Sequence, residues 1–185
     1  MSKRTAILGG SFNPIHNGHV ALAKFILEEN LADDVWLLIS PQNPLKKNSE
    51  LLNENVRLRL AQIALKNEEH IFASDFEFHL SRPSYTWNTL NALSEAYPDK
   101  EFLLTIGADN WLIFDQWAHY EDIIKTYQIV IYPRKGYIID PKTLPKTVHF
   151  INAPLYPYSS TEIRKANQTL KKMLCKDVLS EYLKI

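Results

Sequence analysis

The chain has 185 residues, 45% of them hydrophobic, and its 21 lysines and arginines are balanced by 21 aspartates and glutamates. That length predicts one domain with a sizeable core, and the charge balance excludes a bulk positive field for a long nucleic acid or an anionic membrane. The single cysteine, Cys175, excludes an internal disulfide framework and a multi-cysteine metal site. No window has the length and hydropathy of a membrane span or a signal peptide, so a cytoplasmic protein is expected, with self-association left open.

Thr5-Ala6-Ile7-Leu8 predicts a short buried strand, and Val20 to Leu27 carries apolar residues at helical spacing. The stretch between them, Gly9-Gly10-Ser11-Phe12-Asn13-Pro14-Ile15-His16-Asn17-Gly18-His19, holds three of the five glycines and two of the six histidines. Glycine permits a backbone conformation or a close approach that a Cβ blocks, and the free N–H groups of a helix start attract phosphate. His16 and His19 are three residues apart, a spacing that puts both on one side of a helix start. The stretch is neither a dinucleotide fingerprint nor a P-loop, because G-x-G-x-x-G and G-K-[ST] are both absent. It predicts a phosphate loop of another kind.

Asp34 to Ser40 predicts a second strand, emptying into a proline-bounded loop that carries Lys46 and Lys47. Either lysine would be a solvated loop residue or would reach a polyphosphate. Asn53 caps a second helix over residues 54–65, read as scaffold. Ile71 to Ser74 predicts a third strand, followed by Pro83-Ser84-Tyr85-Thr86, where Ser84 or Thr86 would cap a helix whose N-terminus could also receive a small carboxylate. Glu101 to Ile106 reads as the clearest buried strand. It ends in Gly107-Ala108-Asp109, where Asp109 would cap a helix or accept ribose hydroxyls. Trp117 lies between polar neighbours and would pack in the core or stack on a heteroaromatic ring.

A fifth strand, Gln128 to Tyr132, runs into a basic turn containing Arg134, and Thr147 to Ile151 predicts a sixth. Ser159-Ser160-Thr161-Glu162-Ile163-Arg164 then reads as a helix start with Ser160 or Thr161 at its cap, and as a second anion site completed by Arg164. Strands alternating with amphipathic helices predict an α/β, Rossmann-like fold: a mostly parallel sheet with helices on both faces, in one domain over residues 1–185. Two anion sites with neither a base–nucleophile pair nor a carboxylate cluster suit phosphoryl or nucleotidyl transfer, in which positioning and charge stabilisation supply most of the catalysis.

Gly10-Ser11-Phe12-Asn13-Pro14, His16-Asn17-Gly18-His19 and Ser159-Ser160-Thr161-Glu162-Ile163-Arg164 together resemble the signatures of the HIGH-motif nucleotidyltransferases. Pro83-Ser84-Tyr85-Thr86, Gly107-Ala108-Asp109 and Trp117 resemble, within that superfamily, the bacterial nicotinate mononucleotide adenylyltransferases. The resemblance spans essentially the whole chain, although the aromatic residue that often follows the stacking tryptophan is here Ala118. It implies adenylyl transfer from ATP to nicotinate mononucleotide, with Mg²⁺ carried by ATP and no metal held by the protein alone. His16, His19 and Arg164 would then be catalytic. Gly9, Gly10, Ser11, Phe12, Gly18, Lys46, Gly107, Asp109, Arg134, Ser160 and Thr161 would serve ATP and its phosphates, and Ser84, Tyr85, Thr86 and Trp117 the nicotinate nucleotide. Acceptors of the same superfamily, nicotinamide mononucleotide or phosphopantetheine, stay open, as does a non-catalytic nucleotide sensor.

Overall fold

The computed structural model describes residues 2–41, 51–156, 159–165 and 173–184. Six parallel strands form one sheet: β1 (Lys3–Gly10), β2 (Asp34–Ile39), β3 (Ile71–Ser74), β4 (Lys100–Gly107), β5 (Gln128–Tyr132) and β6 (Val148–Phe150). Their order across the sheet is β3-β2-β1-β4-β5-β6. Winding proceeds outward from β1 in one direction and, from β4, in the other, so β1 and β4 flank the switch point where open α/β sheets bind ligands.

Parallel strands need crossovers, and the helices supply them. α1 (Asn17–Glu28) links β1 to β2, α2 (Glu54–Leu65) links β2 to β3, and α3 (Thr86–Ala96) precedes β4. The short α4 (Ala108–Trp111) and α5 (Tyr120–Thr126) lie between β4 and β5, with α6 (Ser160–Lys165) and α7 (Lys176–Tyr182) closing the chain. Alternation along β1 sends Ala6 and Leu8 to one face and Ile7 to the other. The first pair meets Ala23 and Ile26 of α1, Leu60 of α2 and Val178 of α7, whereas Ile7 meets Leu90 and Leu93 of α3 and Ile123 of α5. Strands covered on both faces read as continuous apolar runs. β1 and β2 pair from Thr5 with Asp34 to Gly10 with Ile39, and β1 and β4 from Lys3 with Lys100 to Leu8 with Thr105. This register brings Gly9, Gly10, Ser40 and Gly107 to one edge of the sheet.

Several expectations shift in detail. β1 extends the predicted run at both ends, and β6 is shorter than predicted. Asn53 caps α2 by accepting from the Asn55 N–H at 2.9 Å. α3 departs from expectation: Tyr85 occupies its cap position with no side-chain bond, while the Ser84 hydroxyl turns away to Glu77. At α6 the capping side chain is neither Ser160 nor Thr161. Ser159 Oγ accepts from the Glu162 N–H at 3.3 Å and Glu162 Oε2 from the Ser159 N–H at 2.6 Å, a reciprocal capping box. Both following hydroxyls are thereby released for other contacts.

Candidate active site

The loop after β1 is tightly determined. Phe12 adopts a left-handed backbone (φ 42°), uncommon for any residue but glycine, and its ring lies edge-on to His19 at 4.9 Å between centroids. His16 and His19 stack with centroids 3.7 Å apart. The His16 N–H donates to Nδ1 of His19 at 3.2 Å. A nitrogen that accepts carries no proton, so neutral His19 holds its proton on Nε2 and can donate from there. Burial, followed by the nearby Arg134 charge, lowers the His16 pKa to about 4; burial, then His16, then Arg134 hold that of His19 well below the usual imidazole range. Both rings are therefore neutral donors at pH 7. Gly18 fits the same packing closely: a Cβ there would stand 3.1 Å from the His16 ring and from Cβ of Tyr156, so these neighbours would have to give by a few tenths of an ångström.

The helix start far along the chain docks on this loop. Ser160 Oγ donates to the Pro14 carbonyl at 2.9 Å, and Arg164 Nη1 donates to the Asn13 carbonyl at 2.7 Å while Nη2 reaches Thr161 Oγ1 at 3.4 Å. The two anion sites read from the sequence thus share one locus. Arg134 approaches from the β5 exit, where Nη2 donates to the Tyr132 hydroxyl at 2.9 Å and Nε lies 3.5 Å from Asp109 Oδ1. Gly107 admits this pair, because a Cβ at that position would overlap the Asp109 carboxylate and sit 2.9 Å from Arg134 Nε.

Beside the loop, at the switch point, a cavity of about 210 Å³ is lined by Gly9, Gly10, Ser84, Tyr85, Thr86, Gly107 and Trp117, among others. It collects every residue expected to hold the nicotinate nucleotide. A Cβ at Gly9 would meet nothing within 4 Å, so its missing side chain leaves open space for a ligand. Trp117 packs its ring on Phe114 at 5.0 Å, and its buried Nε1 has no hydrogen-bond partner among the described residues. Ala118 also lines the cavity, and His119 follows with a left-handed backbone (φ 60°), its ring stacked toward Trp87 at 5.9 Å. Lys46 lies outside the described residues, as does Lys47.

Two buried charges at this edge escape a reading of the sequence. Glu77, 8% exposed, faces the cavity and accepts from Thr89 Oγ1 at 3.2 Å and Ser84 Oγ at 3.4 Å; burial raises its pKa against the hydroxyl hydrogen bonds. Arg57 is fully buried beneath the loop. Neither sits in a motif: Arg57 alternates with Arg59 among apolar residues of α2, and Glu77 lies between Phe76 and Phe78.

Comparison with known proteins places this geometry. The cytidylyltransferase-like family model matches residues 7–166. A protein of Bacteroides fragilis named "probable nicotinate-nucleotide adenylyltransferase" is 46% identical over 91% of this chain and 84% of its own length. Another of that name from Bacteroides thetaiotaomicron is 48% identical over 88% of this chain and 81% of its own. Among solved structures, the nicotinic acid mononucleotide adenylyltransferase of Plasmodium falciparum, complexed with NaAD, superposes with a TM-score of 0.80 at 23% identity, covering 98% of this chain and 95% of that one, a likeness of fold. A Rossmann-like sheet, a glycine and histidine loop docked by a Ser-Thr-Arg helix start, and this degree of identity establish that the chain belongs to the nicotinate-nucleotide adenylyltransferase family of cytidylyltransferase-like proteins.

Proposed function

We propose that this chain transfers the adenylyl group of ATP to the phosphate of nicotinate mononucleotide, a step of NAD biosynthesis. An acceptor phosphate oxygen bonds to the α-phosphorus, the bond from that phosphorus to the bridging oxygen of the β-phosphate breaks, and deamido-NAD and pyrophosphate leave. The observation that carries the reading is the docking of Ser160 and Arg164 onto the Asn13-Pro14 turn, beside a cavity walled by Trp117. It joins a polyphosphate site to a pocket suited to a flat ring.

Each residue acts by position and charge. His16 and His19 are neutral before substrate arrives, so they enter the site as hydrogen-bond donors that add no charge to it, and a bound polyphosphate raises their proton affinity. The Nε2–H of His19 stabilises negative charge gathered at the reacting phosphorus. Arg164, with the hydroxyls of Ser160 and Thr161, holds the departing phosphates, and the Gly9 to Phe12 backbone lets them approach closely. Asp109 accepts from a ribose and Arg134 answers the phosphates, so substrate divides a pair held at 3.5 Å in the free chain. Trp117 stacks on the pyridine ring, and main-chain N–H groups around Ser84, Tyr85 and Thr86 receive its carboxylate. ATP would be used as its magnesium complex, the metal arriving with the nucleotide and neutralising charge on its phosphates. Among the described residues no three His, Cys, Asp or Glu side chains converge on a metal site. No described helix is long and apolar enough to cross a membrane, and we place this ATP-dependent step in the cytoplasm, carried by one unit over residues 1–185.

Pyrophosphate release from MgATP, measured with nicotinate mononucleotide, nicotinamide mononucleotide and phosphopantetheine in separate reactions, tests this reading. Strong preference for the first is expected. Turnover with only one of the others keeps the ATP site and overturns the acceptor pocket, and no turnover with any of the three overturns the enzyme.

A further inference from the structure

Arg57 is the largest fully buried side chain among the described residues. Its Nε–H donates to the Leu52 carbonyl at 2.9 Å, Nη1 to the Ser11 and Ser40 carbonyls at 2.6 and 2.8 Å, and Nη2 to the Pro41 carbonyl at 3.0 Å. Every one of these acceptors is main chain. A buried cation matched by carbonyl dipoles costs more to desolvate than an apolar side chain filling the same space, so stability alone gives little reason for an arginine here.

The position of those carbonyls gives a better reason. Ser11 stands at the exit of β1, Ser40 and Pro41 at the exit of β2, and Leu52 just ahead of α2, so a single fork ties together three segments that border the phosphate loop. In a trans peptide the carbonyl and the following N–H point in opposite directions. With the Ser11 carbonyl drawn to Arg57, the Phe12 N–H faces the other side of the loop, away from α2. The same bond steadies the left-handed backbone of Phe12, a conformation that persists where the surroundings over-determine it.

We propose that Arg57 is a positioning residue of the triphosphate site: it turns the Phe12 amide outward to a phosphate oxygen and sets a fixed positive charge beneath it. This rests on the adenylyl-transfer reading. A scaffold role alone would weaken the whole nucleotide site, whereas a triphosphate role weakens phosphate recognition and spares adenosine.

Calorimetric titration of the wild-type chain, Arg57→Lys and Arg57→Gln with MgATP, alongside NMR titration of each with adenosine, separates these. Lysine keeps the charge but loses the fork. The expected result is MgATP affinity lower by about tenfold in Arg57→Lys and further in Arg57→Gln, with adenosine affinity within about twofold of wild type. Equal losses for the two ligands, or unchanged MgATP affinity, overturn the proposal. The unaltered chain gives a second measurement should the variants not fold: saturation with inorganic tripolyphosphate is expected to shift the Phe12 amide proton downfield, and an unmoved resonance overturns the proposal. Wild-type protein that binds MgATP with these signatures yet releases no pyrophosphate with nicotinate mononucleotide keeps Arg57 and overturns only the acceptor. A chain that binds no MgATP overturns both.

Discussion

The two ring nitrogens of His19 have different jobs, and isosteric substitutions separate them. Nδ1 accepts the His16 N–H at 3.2 Å, while in the proposed reaction Nε2–H donates to substrate. In His19→Asn the side-chain oxygen can occupy the Nδ1 position and keep the His16 bond, but nothing reaches where Nε2 stood. Loss of one fixed donor to transition-state charge costs about 10²- to 10³-fold in kcat, roughly 3–4 kcal/mol. Because the cap survives, folding stability should change by no more than about 1 kcal/mol. His19→Gln is the converse: its amide nitrogen can occupy the Nε2 position and donate, while the His16 N–H loses its acceptor, at about 1 kcal/mol of stability. The assay is initial-rate pyrophosphate release at saturating MgATP and nicotinate mononucleotide, with urea denaturation on the same samples. The expected order of kcat is wild type, then His19→Gln, then His19→Asn, with the order of the two variants reversed for stability. A His19→Asn enzyme within threefold of wild-type kcat would refute the assignment of Nε2 as the catalytic donor.

Gly9→Ala puts a methyl group into the open space of the cavity without touching its walls, because a Cβ there meets nothing within 4 Å. Its Tm should stay within about 2 °C of wild type while turnover falls by about tenfold or more, whereas a collapse of Tm would contradict the open space. His16 makes stability pH-dependent with a defined sign: its folded pKa of about 4 lies below the ordinary imidazole value of 6.5, so the unfolded chain binds the extra proton. Its contribution is complete above pH 6.5 and is lost as pH falls toward 4, by on the order of 3 kcal/mol, with His19 acting in the same direction. Urea midpoints between pH 7.5 and 4.5 should flatten in His16→Asn, and an identical slope would show that His16 is not the titrating group. Trp117→Ala should raise KM for nicotinate mononucleotide about tenfold, about 1.4 kcal/mol of stacking, and leave KM for MgATP nearly unchanged. An equal rise in both would place Trp117 in the core rather than against the acceptor.

The local code of this chain is unusually explicit. Short apolar runs at β1, β2, β4 and β5, helical periodicity between them, and glycines clustered with histidines after β1 each report a requirement satisfied within a few residues: burial of a strand, an amphipathic face, a backbone that approaches a phosphate. Those requirements, with the motif resemblance, are enough to read the fold class and the family, and to single out the loop after β1 and a set of residues that the structure gathers around one cavity. The cap of α6 was misplaced by one residue because consecutive serines offer equivalent hydroxyls, and only the reciprocal bonds between Ser159 and Glu162 distinguish them. At α3 the same ambiguity concealed that Ser84 serves Glu77 rather than the helix.

Long-range geometry has no such local signature. That Ser160 and Arg164 close on Pro14 and Asn13, some 150 positions earlier, depends on a sheet that winds both ways from β1 and β4 and so returns the start of α6 to the first loop. Arg57 and Glu77 show the same limit. In sequence each is one charged residue among helix- or turn-forming neighbours, indistinguishable from a solvated one, because the carbonyls and hydroxyls that satisfy them come from segments that meet only after folding. Sequence by itself determined which residues could make strands, helices and an anion site; tertiary structure decided which charges are buried, since burial is a property of everything that surrounds a residue.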